Sequence, residues 1–308
     1  MNNAAFAVCE AAPAKINLAL HVTGRRPDGY HLLESLVVFT AFGDEVAVSN
    51  ADQDRFCVDG PFASDIPADG DNLVLKARDA LRASLTSPLR GGRCAIHLAK
   101  NLPVASGIGG GSSDAAAALR ALDRLWNARL SEAQLASIAL PLGADLPMCL
   151  AAKPLIARGV GEQIERISLP EIPIVLVNPG VAVSTPAVFK ALNLSPLSKG
   201  GAGSEADRHG RNLREGLPGF PSGVELKTLL AWLSATRNDL QAPAISIAPP
   251  IDTALAALEA QNAAFIRMSG SGATCFGLFS RTADAMRAAM AIRAAEPGWF
   301  VVATHTME

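Results

Sequence analysis

The segment Gly107-Ile108-Gly109-Gly110-Gly111-Ser112-Ser113 constrains this 308-residue chain more than any other. Small or permissive residues run straight into a strongly amphipathic stretch. Ala115, Ala118, Leu119, Leu122, Leu125 and Trp126 recur at helical spacing, with Arg120, Asp123, Arg124 and Asn127 on the opposite face. The helix is expected to start near Ser112. Ahead of the loop, Arg93–Leu98 reads as a strand and Asn101-Leu102-Pro103 as its exit. A strand, a glycine-rich loop and a helix N-terminus make an anion site. First-turn N–H groups lack intrahelical acceptors, the helix dipole adds partial positive charge, and phosphate oxygens accept those hydrogens. Glycine admits close backbone approach and positive φ, and Ser112 and Ser113 offer hydroxyls. No G-x-x-x-x-G-K-[ST] occurs, and the loop does not complete G-x-G-x-x-G. An isolated glycine triplet reads as a plain turn; the flanking strand and helix favour phosphate.

Whatever phosphate is bound must be held by such local geometry, because 27 basic and 29 acidic side chains leave a net charge of −2. That balance exerts no long-range pull on nucleic acid or an anionic membrane. With 49% apolar and 18% charged residues the chain can bury a sizeable core, and its length suggests two domains. Cys9, Cys57, Cys94, Cys149 and Cys275 form no C-x-x-C pair and read as reduced core thiols. The N-terminus lacks a signal-peptide pattern and no apolar run reaches membrane-span length. A cytoplasmic protein is expected, a monomer or homodimer.

Further elements follow from periodicity. Ile16–Val22, Glu34–Phe39 and Asp44–Ser49 read as strands, Asn72–Leu85 as a helix, and Ser131–Leu140 as a helix capped by Ser131. Beyond a composition change near 167–172, Ile174–Val177, Ala264–Met268, Thr274–Phe279 and Phe300–Thr304 read as strands. Pro186–Leu192, Glu225–Leu233, Thr253–Gln261 and Thr282–Ala294 read as helices. This order fits an α+β sandwich with helices on one face of a sheet. The stretch 195–223, rich in Gly, Ser, Pro and charge, reads as a flexible surface insertion.

Four segments together resemble the GHMP kinase family. They are Pro13-Ala14-Lys15-Ile16-Asn17-Leu18, Leu102 to Ala115 with the glycine loop at its centre, Gly143-Ala144-Asp145-Leu146-Pro147, and Met268-Ser269-Gly270-Ser271-Gly272-Ala273. Arg26-Pro27-Asp28-Gly29-Tyr30-His31, Thr185-Pro186-Ala187-Val188-Phe189-Lys190 and Asn238-Asp239-Leu240 resemble one branch of it. The resemblance implies a two-domain α+β architecture. Residues 1–168 would form a ribosomal S5 domain 2-like domain carrying the ATP loop, and 169–308 a ferredoxin-like α/β sandwich. It implies ATP-dependent phosphorylation of a hydroxyl on a small molecule bearing a cytidine diphosphate group, with Mg²⁺ carried by the nucleotide.

By the same resemblance, Pro103, Val104, Ala105, Ser106, Gly107, Ile108, Gly109, Gly110, Gly111, Ser112 and Ser113 bind ATP. The family often has three glycines where this chain has Ala105-Ser106-Gly107, so positive φ at 105 or 106 would be strained. Asp145 becomes the candidate general base, although Gly-Ala-Asp-Leu-Pro alone reads as a turn aspartate before proline. Lys15 becomes its partner, orienting the attacking oxygen, where a lone lysine between apolar runs more often snorkels to the surface. Strand alternation puts Lys15 and Asn17 on one face, so both could line one pocket. Tyr30, the chain's only tyrosine, and Phe189 would stack on cytosine from two sides, with His31 reading its polar edge. Thr185 is a weaker acceptor-side candidate. Another GHMP kinase with a different alcohol, or a sensor of the same fold without catalysis, are the competing readings. Tyr30, His31 and Phe189 argue against the first, and retention of Lys15 and Asp145 against the second. An RNA-binding role fails on the lack of basic excess.

Overall fold

The computed structural model describes residues 8–67, 71–85, 91–192 and 215–308. Two compact units are interleaved along the chain. One comprises Met1–Lys15, Phe42–Val104 and Gly109–Ala152; the other comprises Ile16–Ala41, Ala105–Ile108 and Lys153–Glu308. This differs from a single boundary after residue 168. The reason is that two long strands, β1 (Val8–Arg25) and β2 (His31–Asn50), each run through both units. The strands expected at 34–39 and 44–49 are thus one. Gly43 allows the continuity: a Cβ there would lie 2.3 Å from the Ala12 carbonyl oxygen of β1.

In the first unit, the second half of β2 pairs antiparallel with β4 (Cys94–Ala99), from Glu45↔Ala99 to Asn50↔Cys94. β3 (Arg55–Asp59), which periodicity did not reveal, pairs parallel with β4. The crossover that parallel pairing requires carries α1 (Leu73–Ser84). Asn72 caps α1 by accepting from Val74 N at 2.8 Å. α2 (Gly110–Leu125) packs on α1 and on the short α4 (Leu146–Ala151). Between them, α3 (Glu132–Ala139) opens on a Ser131–Gln134 capping box.

In the second unit, the first half of β2 pairs with β5 (Leu155–Gly159), and β5 pairs with the polar β6 (Gln163–Arg166). A separate antiparallel sheet, formed by β7 (Pro173–Asn178), β8 (Phe265–Met268), β9 (Cys275–Leu278) and β10 (Phe300–His305), runs in the order β10-β7-β9-β8. The helices of this unit are α5 (Thr185–Leu192), α6 (Leu226–Ser234), α7 (Gln241–Ile247), α8 (Pro250–Glu259) and α9 (Thr282–Ala295). Alternate residues Val175, Val177 and Cys275 share a core with Ala254 and Leu258 of α8 and Ala285, Ala289 and Ile292 of α9. Helices therefore cover a sheet face, as an α+β sandwich requires.

Of the expected insertion, residues 193–214 lie outside the described residues, and 215–223 carry no helix or strand. All five cysteines are free; Cys94, Cys149 and Cys275 are buried, but Cys9 and Cys57 are exposed rather than core. Among the described residues no helix is long and apolar enough to cross a membrane.

His21, without a role in the sequence, anchors the start of 215–223. Its Nε2 accepts from Arg237 N at 3.0 Å, so Nδ1 carries the proton, facing the carbonyls of Glu215 and Gly216 at 3.2 and 3.1 Å. Burial, then the Arg237 charge, lowers its pKa below the ordinary 6.5. A depressed histidine pKa contributes stability that is complete above about pH 6.5 and lost as pH falls through the folded value. The thermal midpoint is expected to fall between about pH 7 and 5, and His21→Gln to flatten that fall. Parallel pH curves for the two proteins would contradict this.

Candidate active site

Lys100 directly follows β4 and continues the inward alternation of Cys94, Ile96 and Leu98, yet it is a buried lysine. Its Nζ lies 2.5 Å from Asp44 Oδ2 and 2.8 Å from Asp114 Oδ2. Asp44 Oδ1 also accepts the backbone N–H groups of Asn101 and Leu102, at 2.6 and 2.8 Å. Asp114 belongs to α2. The cluster therefore ties down both flanks of the glycine loop. Gly110 makes room for it, since a Cβ there would sit 3.0 Å from Lys100 Nζ. Burial raises the Asp114 pKa well above the carboxylate range, with Asp44 adding to the effect and Lys100 opposing it. Sequence reading missed this cluster. The available signal was charge at core positions: a lysine on the inward register of a strand, and Asp114 in helical step with Ala118.

The helix begins at Gly110, two residues before its expected start at Ser112, with Gly109 at φ +66° as its N-cap. The first backbone bond of the helix runs from Ser113 N to Gly109 O at 2.9 Å. The amides of Gly110, Gly111 and Ser112 therefore have no intrahelical acceptor and are free to meet an anion. The two serines differ. Ser113 is buried and spends its hydroxyl proton on Pro13 O at 2.6 Å, whereas Ser112 is half-buried. Pro103 and Ile108 flank an exposed pair, Val104 and Ala105. Ala105 has φ +50°, in the left-handed region that costs a residue with a Cβ about 1–2 kcal/mol. Of the two departures from glycine, Ala105 carries the strain and Ser106 does not.

Lys15 and Asp145 meet in the same unit as α2. Lys15 Nζ donates to Asp145 Oδ2 at 2.5 Å; the lysine side chain is 7% exposed and the aspartate 43%. Asp145 Oδ1 has no protein donor among the described residues. Burial works against the Lys15 charge, but the Asp145 carboxylate more than offsets it, and the pKa ends above the ordinary lysine value. The Lys15 side chain runs along Gly109, where a Cβ would be 3.0 Å from Lys15 Cβ and 3.2 Å from Cε. The ion pair therefore lies against the N-cap of α2.

The remaining candidates lie in the other unit. Asn17 Nδ2 donates to Ser35 Oγ at 2.7 Å, and Ser35 passes its proton to Ala19 O at 2.7 Å. This fixes the amide and leaves Asn17 Oδ1 buried without a partner. Phe189 of α5 is stacked, but on His31, with centroids 4.6 Å apart and planes at 23°. Tyr30 is 64% exposed. The expected clamp of Tyr30 and Phe189, with His31 at the edge, is thus not the arrangement present; the imidazole covers the Phe189 face. Burial, then Arg25, lowers the His31 pKa, favouring the neutral ring. Thr185 Oγ1 meets Ser271 Oγ at 2.7 Å. Among the described residues no group of three or more His, Cys, Asp or Glu could hold a metal ion.

Two family models match the chain in order: GHMP kinases N terminal domain over residues 72–153 and GHMP kinases C terminal over 217–296. The chain belongs to the GHMP kinase family. Among similar GHMP kinases is a 4-diphosphocytidyl-2-C-methyl-D-erythritol kinase of Mesorhizobium japonicum, 52% identical over 96% of this chain and 95% of the relative. One of the same name from Brucella melitensis is 52% identical over 99% and 97%. A crystal structure of 4-(cytidine 5'-diphospho)-2C-methyl-D-erythritol kinase superposes with a TM-score of 0.74 at 31% identity, covering 98% of this chain and all of the other.

Proposed function

We propose that this GHMP kinase transfers the γ-phosphoryl group of ATP to the 2-hydroxyl of 4-diphosphocytidyl-2-C-methyl-D-erythritol, giving the 2-phosphate and ADP in non-mevalonate isoprenoid precursor synthesis. The carrying observation is the Lys15–Asp145 pair at 2.5 Å beside the N-cap of α2. It joins a proton acceptor and a fixed cation to a helix terminus suited to phosphate. Asp145 Oδ1 takes the hydroxyl proton as the new O–P bond forms and the bond to the bridging β–γ oxygen breaks, its electron pair leaving with ADP. Lys15 keeps Oδ2 engaged, so the free oxygen of the carboxylate faces the alcohol, and its other N–H groups stabilise charge on the attacking oxygen. The amides of Gly110, Gly111 and Ser112 hold phosphate oxygens. Mg²⁺ would come with the nucleotide, where it would neutralise phosphate charge.

Tyr30, His31 and Phe189 serve the cytosine, with Asn17 and Thr185 on the acceptor side. An exposed Tyr30 is free to close on a base whose other face meets the His31–Phe189 pair. Base stacking contributes about 1–3 kcal/mol, so Tyr30→Ala is expected to raise KM for the cytidylyl acceptor about tenfold or more while kcat stays within about threefold. Steady-state kinetics check this; unchanged KM would remove the cytosine from the account of this turn.

A further inference from the structure

We infer that Arg120 is a positioning residue for the phosphoryl transfer: its guanidinium joins β1, the strand of Lys15, to the C-terminal end of α4, the helix whose N-cap is Asp145. The inference rests on the reading that Lys15 and Asp145 carry out the transfer. Periodicity puts Arg120 on the polar face of α2, yet the side chain is half-buried. Its fork of donors is divided between two elements. Toward β1, Nε donates to Glu10 Oε2 at 3.0 Å and Nη2 to Ala11 O at 2.7 Å. Toward α4, Nη1 donates to Cys149 O at 3.1 Å and to Leu150 O at 3.4 Å. A planar guanidinium can hold several acceptors in a fixed arrangement, which a single ammonium cannot.

The two ends of α4 are close. The helix has six residues, and helices so short owe their stability to what they pack against. Its last carbonyls lack intrahelical donors, and an arginine there also complements the helix dipole. Cys149 N donates to Asp145 O at 3.2 Å, so the residue that Arg120 holds is bonded, one turn on, to the residue that carries the carboxylate. A shift at the C-terminal end of α4 is therefore a shift of Asp145 relative to Lys15. The fold does not depend on Arg120 alone. Leu146, Met148 and Cys149 of α4 are buried, and Ser113 Oγ ties β1 to α2 independently at Pro13 O. Removing the guanidinium loosens the two elements without dissolving them. Arg124, one turn along α2, also pairs with Glu10, at 2.5 Å, but it is exposed. It supplies a control for loss of charge on the same helix.

The test is steady-state kinetics of the full-length protein with ATP, Mg²⁺ and the cytidylyl acceptor, for wild type, Arg120→Met, Arg120→Lys and Arg124→Met. Small misplacement of reacting groups is costly, so Arg120→Met is expected to lower kcat about tenfold or more, with KM for both substrates within about twofold. Arg120→Lys keeps the charge but not the fork, and its kcat should fall at least about fivefold. Arg124→Met should stay within about twofold. A double-mutant cycle then asks whether Arg120 acts through Asp145. In an Asp145→Asn background, Arg120→Met should change the residual kcat less than about twofold. Wild-type kcat in a folded Arg120→Met, even with a lowered thermal midpoint, would overturn the inference by making the residue merely structural. So would a raised KM at unchanged kcat, an equal loss in Arg124→Met, a wild-type rate in Arg120→Lys, or a full further loss in the Asp145→Asn background. Should Arg120→Met not fold, Arg120→Lys takes its place in each comparison. Asp145→Asn as active as wild type would overturn the reading of the ion pair itself, a result distinct from an impaired Asp145→Asn with an unaffected Arg120→Met.

Discussion

Asp145→Asn is expected to lower kcat by about two to four orders of magnitude, the range that a positioned general base contributes. Asparagine keeps the size and one oxygen that can accept from Lys15, but it cannot take a proton from an alcohol. The thermal midpoint should move little, because the Asp145 side chain is 43% exposed and solvent screens its pairing energy. Lys15 supplies a second readout. Burial lowers its pKa and the Asp145 charge raises it, so in the variant the burial effect stands without its counterweight and the lysine pKa falls. A folded variant with kcat within about threefold of wild type would remove Asp145 from the mechanism.

Lys100→Met is expected to cost about 3–5 kcal/mol of stability at neutral pH, the loss typical of removing one partner from a buried ion cluster. Methionine nearly matches the volume, so the loss is electrostatic. Asp44 and Asp114 are left facing each other in a buried site, and one must take up a proton. Asp114 already has a raised pKa, and loss of the lysine raises it further. A carboxylate with a raised folded pKa contributes stability at low pH that is lost as pH rises through that value. The deficit of Lys100→Met should therefore shrink on acidification from about pH 8 to 5. Urea titrations at several pH values check both points; a loss under about 1 kcal/mol would show that the cluster is not a charged one. The same substitution frees both flanks of the glycine loop, so nucleotide affinity should fall with stability.

The sequence exposed the glycine loop most clearly, because strand, glycines and amphipathic helix are each local signals. β4, α1, α2 and the sheet with α8 and α9 follow from their periodicities to within a residue or three. β6 did not show itself, since a polar edge strand has little apolar alternation, and α4 and α7 are short and contain Pro147 and Pro243. Interleaving of the units is a property of two strands too long to belong to one of them, which no window of residues reveals. Lys15 and Asp145 are 130 residues apart, and only the resemblance brought them together before the 2.5 Å contact did. Tyr30, His31 and Phe189 were identified as a group, but their mutual arrangement depends on which ring fills the Phe189 face. The Lys100 cluster was readable in principle from charge on a core register.

The most direct test of the central claim is ADP release by the wild-type enzyme with ATP and Mg²⁺, comparing 4-diphosphocytidyl-2-C-methyl-D-erythritol with mevalonate and homoserine as acceptors. Turnover with the cytidylyl acceptor alone, with the new phosphate on its 2-hydroxyl, is the predicted result. No turnover with that acceptor, or equal turnover with another, would contradict it.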